Sequence, residues 1–137
     1  MRGASAIEKL LDEHAGSEIR VLVVWEPVLP TDIRAPSTWT LGRIPDARVI
    51  QDWDKDRLLS QAMGEHDRRS LVWDYIGIYE PGTMWETGPP KPVFEGRPVV
   101  RVIGDARKAL ERLLSNRHTF ALRGWSGFEI ATARAPL

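Results

Sequence analysis

Glu65-His66-Asp67-Arg68-Arg69 is the string in this sequence whose residue types could do chemistry. An imidazole flanked by carboxylates can act as a general base or a metal ligand, and two adjacent guanidinium groups can clamp an anionic substrate. Glu26 and Asp32 add two carboxylates just after the longest apolar run, Val21 to Trp25. The competing reading of the charged string is a solvated turn, a common role for charges that precede a strand.

Several other chemistries are excluded or unsupported by the residues present. The chain contains no cysteine, so it can have no disulfide, no thiolate nucleophile and no thiolate metal site. His14, His66 and His118 are its only imidazoles, and none stands at HxxxH or HxH spacing. A zinc site would therefore need distant residues to converge. Asp52-Trp53-Asp54 and Asp56 offer hard oxygen ligands without the glycine and glutamate positions of a calcium loop. A cap on a following helix explains Asp54 better, and the sequence calls for no metal and no cofactor. Gly124-Trp125-Ser126-Gly127 has the wrong spacing for a serine nucleophile elbow, and neither a GxGxxG nor a Walker phosphate loop occurs.

Aromatic residues point in a different direction. Of six tryptophans, Trp39, Trp53, Trp85 and Trp125 fall in or beside expected loops. Tryptophan on a loop favours a binding surface, because it brings a large contact area with little entropy loss. The plainer role of each is to close the end of a small core. Met84 and Trp85, however, sit on the proline- and glycine-rich excursion Pro81 to Pro90. Met84, Trp85 and Trp125 are thus the candidate partner-binding residues, and the partner would be another protein or a second copy of this chain.

These side chains must be positioned by one domain. The 137 residues, 42% of them hydrophobic, suffice for a single core and leave no room for a second full domain. Nineteen basic residues balance nineteen acidic ones, so no charge argues for nucleic acid or an anionic membrane. Fifteen of the basic residues are arginines, a multi-donor group suited to carboxylates, phosphates or aromatic faces, although a compositional habit explains that bias as well. Ile7 to His14 is too charged for a signal peptide, and Val21 to Trp25 is too short to span a bilayer. The expectation is a soluble, cytoplasmic protein.

Ser5 can cap a helix from Ala6 to about Ala15, and Ile19 to Trp25 reads as a strand buried on both faces. A long proline-bearing loop leads to a short helical pattern through Leu41. A strand over Ala47–Gln51 and a helix from Lys55 to about Met63 follow. Ser70–Tyr79 and an interrupted Val93–Val102 read as antiparallel strands, and Asp105 opens a helix to about Leu114. In the tail, Thr119–Leu122 and Phe128–Ala131 flank a turn, which allows a hairpin or a loose end.

This order of elements resembles the thioredoxin-like fold, in which a βαβ unit is joined through a helix to a ββα unit. The resemblance covers residues 5 to 115, with 116–137 as a C-terminal extension. It implies an α/β domain, a three-layer sandwich on a central mixed sheet with an extra N-terminal helix. The family's active-site turn corresponds to Trp25-Glu26-Pro27-Val28-Leu29-Pro30-Thr31-Asp32, which carries the tryptophan but no CxxC; the family's cis-proline has no counterpart in His66-Asp67-Arg68-Arg69-Ser70. Thiol-disulfide oxidoreductase activity is excluded by the missing cysteines. The resemblance implies a rim that gathers Trp25, Glu26, Asp32, His66, Asp67, Arg68 and Arg69. Two functions suit it. One is a non-redox binding or assembly module. The other is a thiol-independent enzyme with Glu26, Asp32 and His66 as catalytic groups and Trp25, Arg68 and Arg69 holding the substrate.

Overall fold

The nearly unbroken apolar run of Ile19–Trp25 forms a strand with the bounds its composition suggests. In the computed structural model, which describes residues 2–120 and 128–134, the elements are α1 (Arg2–Glu13), β1 (Ile19–Trp25), α2 (Thr38–Leu41), β2 (Val49–Trp53), α3 (Leu58–Ala62), β3 (Tyr75–Ile78), β4 (Phe94–Gly96), α4 (Val99–Phe120) and β5 (Phe128–Arg134). The protein is thus mixed α/β. Its five-stranded sheet has the order β2-β1-β5-β3-β4. β1 runs parallel to β2 and β5, and β3 runs antiparallel to β5 and β4.

The core lies on one face of this sheet. Val21 pairs with Ile130, which pairs with Ile78, so these positions share a face. Ile19, Val21, Val23 and Trp25 of β1 and Ile76 and Ile78 of β3 meet Ala4, Ile7, Leu10 and Leu11 of α1 and Val99, Ala106 and Leu110 of α4 there. Apolar residues at helical spacing fix which side of each helix turns inward. An ion pair between Arg107 and Glu13, at 2.7 Å, joins the two helices outside the core. On the opposite face Arg20 is exposed and Ile50 is 52% exposed, whereas Val24 and Tyr75 are buried. Among the described residues, α2 and α3, of four and five residues, are the only other helices, so no second layer of long helices is built.

Four sequence expectations change. Helix α1 begins at Arg2, so Ser5 lies inside it and does not cap it. The third strand begins at Tyr75, because side chains claim the backbone before it. Val72 donates its N–H to Glu65 and its carbonyl accepts from Arg57, which removes both groups from any ladder. Val99–Val102 is the first turn of α4, not the end of a strand. Val99, Ala106 and Leu110 are buried, with Val102 and Ile103 packed beside them, and that helical spacing overrides the β-branched composition. The tail does not form the hairpin that Thr119–Leu122 and Phe128–Ala131 suggest. Thr119 and Phe120 end α4, and Phe128–Arg134 is a strand wedged between β1 and β3. Trp125 and its turn lie outside the described residues.

Candidate functional site at the strand ends

Parallel pairing brings the carboxyl ends of β1 and β2 to one edge, and pairing with β5 sets the start of β3 beside them. At this edge the loops after β1 and β2 meet the segment that leads into β3, the place where sheets of this kind hold ligands.

Trp25 is buried in the core, and its indole N–H donates to Gln51 Oε1 at 3.0 Å. Gln51 in turn donates to the Leu41 carbonyl at 3.0 Å, so the tryptophan ties β1 to the loop carrying α2. Glu26 is 1% exposed. Its carboxylate accepts the Ser60 N–H at 3.1 Å and the Ser60 hydroxyl, and Arg57 Nη1 stands 3.5 Å from Oε2. Burial pushes the Glu26 carboxyl above its ordinary value against the downward pull of Ser60 and Arg57. A raised carboxyl suits proton transfer, but both oxygens of Glu26 already serve the protein's own donors.

Asp32 closes a turn of its own loop by accepting from the Val28 N–H at 3.1 Å and the Leu29 N–H at 2.8 Å. His66 is exposed, with Nδ1 3.0 Å from the Gly64 carbonyl. The next residues form a self-contained turn: Ser70 Oγ accepts the N–H groups of His66 and Asp67, and Asp67 Oδ1 accepts those of Arg69 and Ser70. These bonds hold the Asp67 carboxyl below its ordinary value. Arg68 and Arg69 are exposed and form no ion pair with a described residue. The structure thus links the Glu26 strand end to the His66 turn through intermediaries: Ser60 bonds Glu26 and accepts the Glu65 N–H at 2.9 Å, and a second residue bonds more widely.

That second residue is Arg57, which sequence reasoning missed. Its guanidinium donates to Glu65 at 2.8 Å through Nε and also through Nη2, to the Pro27 carbonyl at 2.9 Å and to the Val72 carbonyl at 3.1 Å. Glu65 is held below its ordinary value chiefly by this bond. One planar fork therefore ties three loops together. Residues 26, 57 and 65 share no readable spacing, so no local signal could have found the group.

Beyond Arg57 the rim opens into a cleft of about 450 Å³ lined by Met63, Ser70, Val72, Tyr75, Glu95 and Arg97 among others. Tyr75 donates its hydroxyl to Glu95 Oε2 at 2.9 Å. Burial, ahead of Tyr79 and Glu95, pushes the phenol well above its ordinary range, so it stays a neutral donor. Tyr75 and Gly77 alternate on β3 and Tyr79 stands just past its end, with both tyrosine hydroxyls brought to the glycine. A Cβ at Gly77 would stand 3.0 Å from each tyrosine hydroxyl. The spacing Tyr-x-Gly-x-Tyr was the sequence signal for this cluster. Trp85 packs edge-on against Tyr79, with ring centres 5.5 Å apart, whereas Met84 is 74% exposed.

Asp74 stands just before this cluster with φ of 48° and a buried Oδ1 that has no partner. Burial raises its carboxyl above the ordinary 3.8, against the pull of the Val99 amide. A raised folded value means that the fold favours the protonated form, so wild-type stability falls as pH climbs from 3.8 through that value. Asp74→Asn, whose side chain tolerates positive φ, is expected to be more stable than wild type by about 1 kcal/mol at neutral pH. The gain should vanish below the ordinary value, and urea unfolding of both proteins at the two pH values measures it. An equal gain at both would remove the charge as its cause.

No group of three or more His, Asp or Glu side chains among the described residues is arranged to hold a metal ion. Among those residues no helix is long and apolar enough to cross a membrane. Compared with protein-family models, curated proteins and solved structures, the chain matches none.

Proposed function

We propose that the protein is a thiol-free binding module of thioredoxin-like type that pairs with a second copy of itself through the apolar strand-end rim. The fold part of this reading rests on two units. β1, α2 and β2 form a parallel βαβ, and β3, β4 and α4 form an antiparallel hairpin followed by a helix. β5 is an addition between them.

The binding part rests on one observation: large apolar side chains stand in solvent at the edge where Glu26, Arg57 and Glu65 are paired with one another. Ile33 is 80% exposed and Leu58 65%, and Leu29 and Trp73 are exposed as well. Leu29 and Ile33 lie on the loop after β1, Leu58 opens α3 and Trp73 is on the segment before β3, and Arg57 ties these stretches by bonding Pro27 and Val72, two residues from Leu29 and one from Trp73. Exposed apolar groups on loops held at one edge suit a contact surface. Zero net charge removes long-range repulsion between copies. The enzyme reading draws support from the raised Glu26 carboxyl alone, and a carboxylate only 1% exposed is closed to a substrate.

Sedimentation equilibrium tests the proposal. The wild type is expected to dimerise reversibly. Leu58→Glu combined with Ile33→Glu, both at exposed positions, should weaken that dimer at least about tenfold by setting charges in the interface. A wild type that stays monomeric at about 100 μM, a weak-complex concentration, overturns the proposal.

A further inference from the structure

The cleft beside β4 carries a pair of opposite charges that do not meet. Glu95 and Arg97 both line it, yet they form no ion pair, although Arg48–Asp46 and Arg57–Glu65 do so elsewhere. Each is turned toward a neutral partner instead. Glu95 Oε2 accepts the Tyr75 hydroxyl at 2.9 Å, and Arg97 Nη1 donates to the Leu71 carbonyl at 2.6 Å. Tyr75 is buried, so the anchor of the carboxylate is part of the fold. Gly96, between the two charges, is pinned as well: a Cβ there would lie 3.0 Å from Val102.

This arrangement leaves Oε1 of Glu95 and the Nε and Nη2 donors of Arg97 without a bond to any described residue. Glu95 is the middle residue of β4 and Arg97 is the residue just after it, so two opposite charges with atoms left over line one cleft without pairing. That arrangement suits a small molecule bearing an ammonium group at one end and a carboxylate at the other. Met63 and Val72 supply an apolar wall in the same cleft, and Ser70 adds a hydroxyl. Its volume of about 450 Å³ is in the range of small-molecule sites.

We propose that this cleft binds a free α-amino acid with an apolar side chain, its ammonium group on Glu95, its carboxylate on Arg97 and its side chain against Met63 and Val72. Two charge-assisted contacts with opposite polarity distinguish such a ligand from a simple anion, which would need Arg97 alone, and from an amine, which would need Glu95 alone. None of Leu29, Ile33, Leu58 and Trp73, the apolar residues offered for self-association, lines this cleft.

The test is a titration of the isotope-labelled protein with L-leucine, followed by backbone amide NMR. Saturable shifts confined to residues around Gly64, Tyr75, Glu95 and Arg97 are expected. N-acetyl-leucine, which lacks the ammonium group, and leucinamide, which lacks the carboxylate, should each bind at least about tenfold more weakly. Glu95→Gln and Arg97→Gln should each weaken leucine by a similar factor. Both residues are exposed, so an unchanged amide spectrum without ligand will show that the fold is retained. Absence of saturable shifts with leucine overturns the proposal. Equal binding of either analogue overturns it too, since one of the two charges would then have no role.

Discussion

Arg57→Asn is expected to destabilise the protein by about 3–5 kcal/mol, the usual cost of removing one partner from a buried ion pair. The side chain of Arg57 is 14% exposed, and those of Glu26 and Glu65 are 1% and 12% exposed. Losing the guanidinium leaves two carboxylates in the protein without a cation and the Pro27 and Val72 carbonyls without a donor. Asparagine is chosen because Arg57 has φ of 58°, a conformation that asparagine tolerates. The variant thus removes the network without adding backbone strain. Urea unfolding measures the loss, and a fall in Tm of roughly 10–15 °C should accompany it. Because Arg57 holds the Glu65 carboxyl low, its contribution is in place above the ordinary 4.5 and fades as pH falls through the folded value. The gap between wild type and variant should therefore narrow in acid. A loss below about 1 kcal/mol would place the network among surface pairs that water replaces.

The same residue shows where sequence reasoning succeeds and where it stops. Interactions that close within a few residues were readable. β1 has the bounds of its apolar run, and Asp54, expected to cap a helix from Lys55, does accept the Leu59 N–H, although α3 starts three residues later at Leu58 with Arg57 as its N-cap. Interactions whose partners are distant were not. Glu26 looked like an available acid because nothing near it in sequence could enclose it, and its donors come from residues 57 and 60. The stretch Phe128–Ala131 was read as an arm of a tail hairpin, and the central place of β5 was missed for a related reason. Its sequence suits an edge as well as a centre, and only pairing with β1 on one side and β3 on the other makes it central. The charged string at His66 formed the solvated turn that competed with the catalytic reading, whereas the charges that line a cleft, Glu95 and Arg97, were not singled out at all.

A second arginine, Arg48, clamps the opposite end of the molecule, and its replacement by methionine is expected to cost about 2–4 kcal/mol. The last carbonyls of a helix have no partner within it. At the end of α1 the Leu11 carbonyl accepts from Arg48 Nη2 at 2.8 Å, the His14 carbonyl from Nη1 at 2.7 Å, and the Ser17 carbonyl from Nη1 at 3.2 Å. Asp46 holds the fork from behind, at 2.9 Å to Nε and 2.5 Å to Nη2. A cation at a helix carboxyl end also complements the helix dipole. Arg48 lies next to β2, and its own carbonyl accepts the Val21 N–H at 3.0 Å, so the clamp fixes α1 against the sheet it covers. Methionine keeps the length of the stem and removes every donor. Arg48→Lys should recover less than half of the loss, because one ammonium group cannot reach three carbonyls and a carboxylate in the same geometry. Full recovery by lysine would show that charge alone matters and the fork does not. Asp46, which Arg48 holds below its ordinary 3.8, supplies an independent reading. Its contribution is complete above that value and is lost as pH falls through the folded one. The stability of Arg48→Met should therefore vary less with pH in that acid range than the wild type does. Parallel curves would mean that the Asp46 carboxylate keeps another donor once the arginine is gone.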